Sequence, residues 1–295
     1  MNTRQMIMLG IVAVTRGSSF LFVTLALKSF GPFYIVFFQI FLAALVLGGI
    51  VLLTGEWSAT FRLLRQELRQ ALLFSLMQVA IPFLCITLGQ QIIASSTAAI
   101  LLATAPLFVA VLAPLLNRNE RMQSSQLIGL LVGLLGVALV VGAGPEVLHA
   151  HILGIGAILI AAFSYALSGL LMKRFYLRTS PVTVTFLSNL ISIPLLFPLI
   201  IFVHPFVRPD VMNLLIMLVL GVFNTALPLT VYVYLLQEIG AGQALLMTYL
   251  SPVIALFLAI IFLHEEITVW MLLGLVFVLG GITMVARRSS AVSHQ

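Results

Sequence analysis

The chain has 295 residues, of which 62% are hydrophobic and only 7% are charged. So little polar surface cannot cover a soluble fold, and this composition excludes a soluble globular protein. The net charge of +6 would suggest a nucleic-acid partner in a soluble domain, but here we assign it to loops on the cytoplasmic face of a membrane and expect no nucleic acid.

Apolar runs long enough to cross a lipid bilayer follow one another along the chain, since about 20 residues are needed for a hydrocarbon core of about 30 Å. We therefore predict an all-α integral membrane protein with ten transmembrane helices and connectors too short for a soluble domain. The first run is too long for a typical signal-peptide core and is expected to be retained. The predicted helices lie near residues 7–27, 33–53, 70–89, 92–116, 125–143, 152–172, 182–203, 212–236, 241–263 and 267–286.

Positive charge is distributed unevenly between the two sides of these helices. With the N-terminus inside, eleven of the 14 lysines and arginines fall in cytoplasmic segments. The positive-inside rule therefore predicts a multi-pass protein of the cell's inner (cytoplasmic) membrane with both termini in the cytoplasm. The cytoplasmic cations are Arg4, Arg62, Arg65, Arg69, Arg118, Arg121, Lys173, Arg174, Arg178, Arg287 and Arg288, and the outer ones are Lys28 and Arg208.

The segment 56–70, ahead of the third predicted helix, is amphipathic. Its three arginines lie away from the helical face that carries Trp57, Phe61, Leu64 and Leu68. We expect this segment to lie on the inner interface as an anchor, because arginine stems can reach the headgroups from there.

Nothing in the chain indicates a metal, a cofactor or an enzyme. Cys85 is the single cysteine, which excludes an intramolecular disulfide and a thiolate metal cluster. His149 and His151 lie in a predicted outer loop, where two histidines without further ligands are expected to be solvated. A clustered His/Asp/Glu constellation and a P-loop are both missing from the sequence, so we predict neither catalysis nor nucleotide binding.

The second half of the chain repeats the first. Segments 80–113 and 226–259 match at an offset of 146, which pairs Pro82 with Pro228, Gln91 with Gln237 and Pro106 with Pro252. At an offset of 145, Glu120 pairs with Glu265, Gly129 with Gly274 and Gly136 with Gly281. Upstream the match weakens, and an offset of 149 places Pro32 opposite Pro181 and Arg16 opposite Tyr165.

Each repeat carries five predicted helices, and because five is odd the second copy enters the membrane inverted. We predict a first repeat over residues 1–144 and a second, inverted repeat over residues 145–295. Inverted repeats are typical of transporters, whose substrate site lies at the midplane between the halves. The sequence therefore predicts a transporter with a small-molecule substrate.

Four motifs resemble the EamA-type family of the drug/metabolite transporter superfamily across essentially the whole chain. They are RGSSF in helix 1, the Pro-centred helices LLATAPLFVAVLAPLL (101–116) and LMTYLSPVIALFLAIIF (246–262), an acidic residue nine positions before a glycine in each half, and the ending LGGITMVARR. The resemblance implies two inverted five-helix repeats, a central cavity lined by both halves, and carriage of small metabolites, often outward and frequently amino acids. The family commonly has Trp at position 16 and an arginine in helix 2, where this chain has Arg16 and Gln39.

Polar groups inside the predicted spans must find partners or water, so they are expected to face the interior of the bundle. Pro106 and Pro252 fall mid-span, where each removes a backbone hydrogen bond, and we predict them as paired hinges. The residues predicted to line a substrate path are Arg16, Ser19, Gln39, Gln78, Tyr165, Ser188, Asn189, Asn224, Tyr232 and Tyr249.

Arg16 is the most informative of these residues. It lies about 14 Å into its helix at 1.5 Å per residue, close to the midplane. An unpaired charge there costs about 3 kcal/mol, so a partner is required. All eight acidic residues fall in loops or at helix ends. The partner is therefore either an anionic group on the cargo or the protein's own carbonyls and aromatic rings.

We predict an exporter of small metabolites, amino acids or small organic anions, that works by alternating access. Efflux of toxic amphipathic compounds through the same cavity is the alternative. The lack of an intramembrane carboxylate favours facilitated movement or exchange over carboxylate-based proton coupling. Gly129 and Gly133 are expected to serve helix packing within a monomer, with a homodimer face as the alternative.

Overall fold

The computed structural model describes residues 2–116, 124–142, 148–201, 210–244 and 246–286, and every regular element within these ranges is helical. The helices are α1 (Thr3–Leu27), α2 (Pro32–Leu53), α3 (Trp57–Gln66), α4 (Leu68–Ser75), α5 (Ile81–Gly89), α6 (Ser95–Leu102), α7 (Ala105–Leu116), α8 (Ser124–Val141), α9 (Leu148–Phe175), α10 (Pro181–Ile201), α11 (Val211–Gly221), α12 (Leu227–Ala244), α13 (Leu246–Leu258) and α14 (Val269–Ala286).

Eight helical segments of the described residues are long and apolar enough to cross a membrane. Two shorter apolar helices, Met247–Leu263 and Val269–Val285, follow them. The chain is therefore an all-helical polytopic membrane protein. The eight are Thr3–Leu27, Pro32–Leu53, Leu68–Gly89, Ser95–Leu115, Ser124–Val141, Ile152–Phe175, Pro181–Ile201 and Val211–Ile239.

Two of these segments are interrupted by π-helical turns, Leu76–Ala80 and Val222–Ala226. The turns begin 146 residues apart, which is the offset of the sequence repeat. A proline lies two residues after the end of each turn: Pro82 after the first and Pro228 after the second. A proline ring has no N–H to donate, so a normal α-helical ladder cannot close across this point, and the wider turn is accommodated there.

The two central prolines of the sequence prediction behave differently. The helix around Pro106 is broken, because α6 ends at Leu102 and α7 begins at Ala105. The hydroxyl of Thr104 donates to the Leu101 carbonyl at 2.6 Å, which replaces one of the lost backbone bonds. α13, in contrast, runs through Pro252 without a break.

α8 and α14 pack with their backbones in near contact. A Cβ on Gly129 would lie 2.7 Å from the carbonyl oxygen of Gly281, and a Cβ on Gly136 would lie 2.7 Å from that of Gly274. A Cβ on Gly133 would lie 2.2 Å from Leu107 of α7. These glycines therefore serve packing inside the fold, which is the first of the two alternatives drawn from the sequence.

The amphipathic segment forms α3 and docks on the start of α10. Thr60 of α3 is fully buried, and its hydroxyl lies 3.2 Å from that of Thr183. Thr183 also donates to a Glu56 carboxylate oxygen at 2.8 Å. The arginines of this segment, Arg62, Arg65 and Arg69, are exposed.

Observed helix bounds differ from the predicted ones by a few residues at most ends, and by more at α12, which continues to Ala244 rather than ending at 236. Positions 149 and 151 belong to α9 rather than to a loop, although the side chains of His149 and His151 lie outside the described residues. Other residues used in the sequence predictions also lie outside them: Arg118, Glu120, Arg121, Glu146, Arg208, Arg287 and Arg288.

Candidate functional site

A cavity lies among α1, α2, α5, α6, α7, α9, α12, α13 and the two π-helical turns, so residues from both halves of the chain line it. Its volume, counted as the space that the centres of water molecules can occupy, is about 170 Å³. One water needs about 10–15 Å³ by this measure, so the cavity has room for a small molecule of roughly a dozen non-hydrogen atoms.

The structure brings most of the predicted path residues together at this cavity. Both predicted hinges, Pro106 and Pro252, also line it. The predicted path residues in the lining are Arg16, Ser19, Gln39, Gln78, Tyr165, Asn224 and Tyr232.

Three predicted path residues lie elsewhere. Ser188 and Asn189 are buried within α10, where both side chains donate to the Thr185 carbonyl, at 2.9 and 2.8 Å. Tyr249 packs against the apolar cluster between α8 and α14 that includes Leu275. A polar residue within a span can thus satisfy its hydrogen bonds on its own helix, and the sequence alone does not separate this case from a cavity-facing one.

Four further hydroxyl residues of the described ranges line the cavity: Thr87, Ser168, Thr248 and Ser251. Helical spacing could have indicated two of them. Ser168 follows Tyr165 by three residues, and Thr248 precedes Pro252 by four. Residues three and four apart share a helix face, so one cavity residue predicts its neighbours. The Thr87 hydroxyl donates to the Phe83 carbonyl at 2.8 Å, and no sequence pattern indicates its place in the lining.

Within the part of the chain that the structure describes, Arg16 is the only charged residue in the lining. Its guanidinium carbon lies 5.0 Å from the centre of the Tyr165 ring, a cation–π contact between α1 and α9. The next residue, Gly17, is buried against α13, where a Cβ would lie 2.7 Å from the Ser251 carbonyl oxygen. This close approach of α1 to α13 positions Arg16 at the cavity wall.

An amide side chain projects from the middle of each π-helical turn into the lining. Gln78 accepts a hydrogen bond from the Ser168 hydroxyl. Asn224 donates to the Thr15 carbonyl and to the Ser18 hydroxyl, the latter at 3.0 Å. Gln78 and Asn224 are 146 residues apart, so each half of the chain ties its π-helical turn to the first helix of the other half.

A third amide, Gln39 of α2, faces the same cavity. Its Nε2 donates to the Thr225 hydroxyl at 2.7 Å, and Thr225 donates in turn to the Leu220 carbonyl at 2.8 Å. Gln39 and Thr225 are both buried. The bond therefore joins α2 to the second π-helical turn immediately beside Asn224.

The two central prolines leave backbone acceptors beside the cavity. Proline cannot donate to the carbonyl four residues before it, so Pro106 leaves the Leu102 carbonyl and Pro252 the Thr248 carbonyl without its usual donor. Leu102 and Thr248 both line the cavity, again 146 residues apart.

The remaining walls are largely apolar. Phe20 and Val23 of α1, Phe83 and Ile86 of α5, and Leu229 of α12 are all in the lining. The cavity thus combines one permanent cation and a few hydroxyls and amides with a hydrophobic wall. This is the usual composition of a small-molecule site.

Comparison with known protein families decides the identity of the chain. Residues 3–142 and 152–287 each match the EamA-like transporter family. The chain belongs to the EamA-like transporter family. The resemblance to this family within the drug/metabolite transporter superfamily, drawn from the sequence motifs, is thereby confirmed.

This EamA-like transporter is similar over nearly its full length to several relatives that are themselves named as uncharacterized transporters. One, from Archaeoglobus fulgidus, is 25% identical over 97% of this chain and 99% of its own. YdfC of Bacillus subtilis is 26% identical over 90% of this chain and 85% of its own. YoaV of the same organism is 24% identical over 94% of this chain and 96% of its own. The relatives support transport and name no substrate.

The fold of the EamA-like transporter is also similar to a solved structure. A crystal structure matches it with a TM-score of 0.71 and covers 100% of both chains, at 16% sequence identity. At this identity the match shows the fold alone. The EamA-like transporter thus shares the fold of this solved structure. Neither the structure nor the relatives identify its cargo.

Proposed function

We propose that this protein exports small carboxylates, amino acids or small organic anions, by alternating access through the central cavity. The observation that carries the proposal is Arg16, a permanent cation in the cavity wall. Among the described residues, no Asp or Glu lines the cavity to neutralise this charge. The anionic group of the cargo would supply the missing partner.

The contact with Tyr165 does not replace such a partner. A cation–π contact contributes about 0.5–2 kcal/mol, whereas a cation in a membrane span costs about 3 kcal/mol or more. Tyr165 is uncharged, so it leaves the charge of Arg16 without a counter-ion, and a guanidinium carries five N–H donors for further partners. A carboxylate can accept two parallel hydrogen bonds from these donors, which is the strongest arrangement available to arginine.

The apolar wall supports a cargo with a single charge and a hydrophobic body. A second carboxylate would lie beside residues such as Phe83 and Leu229, where no described cation compensates it. Burial of an apolar side chain on the same wall adds about 25 cal/mol for each Å² removed from water. Monocarboxylates with an apolar body are therefore favoured over dicarboxylates.

We propose ten transmembrane helices in two inverted repeats, with the eight long spans and the two shorter apolar helices as the ten. Three pairs of features support the inversion. The π-helical turns and the carbonyls freed by proline each recur at an offset of 146, and Gly129 and Gly136 meet Gly281 and Gly274 crosswise. Such crossed pairing is expected when two equivalent helices meet at a two-fold axis in the membrane plane.

The distribution of cations supports an inner-membrane protein with cytoplasmic termini. We propose that the protein acts as a monomer, since the glycines of the alternative dimer face pack against other helices inside the fold. Movement is proposed to be facilitated transport or exchange rather than carboxylate-based proton antiport, because no carboxylate of the described residues lines the cavity.

Efflux of toxic amphipathic compounds is the competing function, and the apolar walls are the observation that favours it. Purified protein in proteoliposomes, given amino acids, monocarboxylates, dicarboxylates and cationic dyes with and without a pH gradient, separates the two. We expect saturable movement of amino acids or monocarboxylates, unchanged by the gradient. Movement of dyes alone would overturn the proposed cargo, and a gradient-driven rate would overturn the proposed energetics.

A further inference from the structure

A glutamate from the second half of the chain caps the first turn of α6 in the first half. One carboxylate oxygen of Glu265 accepts from the backbone N–H of Ser95 at 2.8 Å. The other accepts from the backbone N–H of Ser96 at 3.1 Å and from the Ser96 hydroxyl at 2.5 Å. These three bonds join residues about 170 positions apart in sequence.

α6 has no local group that could make this cap. The residue before its first turn is Ala94, and its side chain offers no acceptor. Ser95 and Ser96 are buried, with 2% and 0% of their surface exposed. The first N–H groups of a helix lack intrahelical acceptors, and when water is excluded another group must supply them. A carboxylate is the most favourable group, since it also faces the positive end of the helix dipole.

The backbone leading to Glu265 is shaped to deliver this carboxylate. α13 ends in a π-helical turn, Ala259–Leu263. His264 then adopts the left-handed conformation with φ of 53°, the only described non-glycine residue with positive φ. The amide of Glu265 donates back to the Ala259 carbonyl at 3.2 Å. A left-handed histidine is uncommon, and the structure maintains it at the point where the chain turns from α13 towards α6.

The two helices joined by Glu265 both line the cavity. α6 contributes Ala99 and Leu102, and α13 contributes Ser251 and Pro252. Ala99 is four residues after Ser95, so the cap lies about 6 Å along the helix from the first lining residue of α6. The Glu265 carboxylate thus ties the N-terminal end of α6 to the end of α13, so it links two cavity-lining helices, one from each half. The positive-inside orientation places this end on the outer side of the membrane.

We propose that the bonds from Glu265 to Ser95 and Ser96 form a gate latch that holds the cavity closed to the outside. Outward release of cargo requires α6 and α13 to separate at this end, and the carboxylate must leave the α6 N-terminus when they do. The latch rests on the proposed transport function, since it assumes that the cavity carries cargo. It assigns Glu265 a role in alternation that does not depend on cargo chemistry.

Labelling of a cavity cysteine from the outside tests the latch directly. Cys85 is replaced by serine, and Ala99→Cys supplies the reporter below the latch. In intact cells a membrane-impermeant maleimide should then react several-fold faster when Glu265→Gln is added, because the neutral amide caps the helix dipole less well. Glu266→Gln is the matched control, since Glu266 is adjacent and exposed, and it should leave the rate unchanged.

Glu265→Asp gives a second, milder variant that retains the charge at a shorter reach, and its labelling rate should fall between those of the parent and Glu265→Gln. Equal labelling in the parent and in whichever of the two variants reaches the membrane would overturn the latch. Because labelling needs no cargo, the two proposals fail separately. Faster labelling with no carboxylate transport contradicts the proposed function alone, whereas carboxylate transport with unchanged labelling contradicts the latch alone.

Discussion

The backbones of Gly129 and Gly281 touch across α8 and α14, so that a Cβ built on Gly281 would lie only 2.5 Å from the Gly129 carbonyl oxygen. Real Cβ atoms do not approach an oxygen so closely, and a larger residue at either position must push the helices apart. The preceding residue, Gly280, has no atom within 4 Å of the equivalent position. Alanine substitutions at these two neighbouring glycines are therefore expected to affect stability differently.

Gly281→Ala should destabilise the protein by about 1–3 kcal/mol, the usual cost of overpacking a close contact. Gly280→Ala should be neutral or slightly stabilising, because alanine is the better helix former and its methyl group meets no atom. Thermal unfolding in detergent measures both variants. Equal unfolding temperatures for the two would contradict the close packing of α8 and α14.

Arg16→Gln should weaken binding of carboxylate cargo by about 10- to 100-fold, since a hydrogen bond to a charged group contributes about 1.5–3 kcal/mol. Arg16→Lys should recover part of the affinity, because it restores the charge without the two-pronged geometry. The matched control is Arg4→Gln, an exposed cation whose guanidinium carbon lies 5.6 Å from the Tyr234 ring centre. Uptake kinetics in proteoliposomes, measured against cargo concentration, give the affinities. A cargo affinity of Arg16→Gln equal to that of the parent would show that Arg16 is structural.

An arginine on α2 is expected to replace Arg16 of α1 in part. Arg16 and Gln39 both line the cavity, and many family members carry the cation in helix 2. The double variant Arg16→Gln with Gln39→Arg should therefore recover some of the carboxylate affinity that Arg16→Gln loses. Uptake of the double variant no better than that of Arg16→Gln, with both proteins equally abundant in the membrane, would show that the cation acts only from α1.

Pro106→Ala should slow transport more than Pro252→Ala. Alanine at position 106 supplies an N–H that can close the break between α6 and α7, so a continuous helix replaces a flexible joint. α13 is already continuous through Pro252, and alanine there changes less. Initial rates of uptake at saturating cargo compare the two. Normal rates in both variants would remove the hinge prediction.

Membrane class and helix positions could be predicted from the sequence because they depend on local properties. A run of about 20 apolar residues must span a bilayer wherever it lies in the chain. The two π-helical turns could not be predicted in this way, since their own sequences, LMQVA and VFNTA, contain no proline or glycine. Only the prolines that follow them, two residues later and at the same offset, marked both places.

The cavity lining could be predicted in part. Arg16, Gln78 and Asn224 were predicted because charges and amides inside a span need several partners, which are found between helices. Asn189 satisfied the same rule and yet donates within its own helix, which no pattern distinguishes. The predicted roles of the lining residues in cargo binding remain predictions.

Composition and hydrophobic run length determined by themselves that this is a polytopic membrane protein, because both are local properties of the chain. Tertiary structure alone decided which polar residues share a cavity, that Gly129 meets Gly281, and that Glu265 caps α6. These relationships join residues well over 100 positions apart, and their energy comes from the close approach and desolvation of groups that are brought together only by the packed helices.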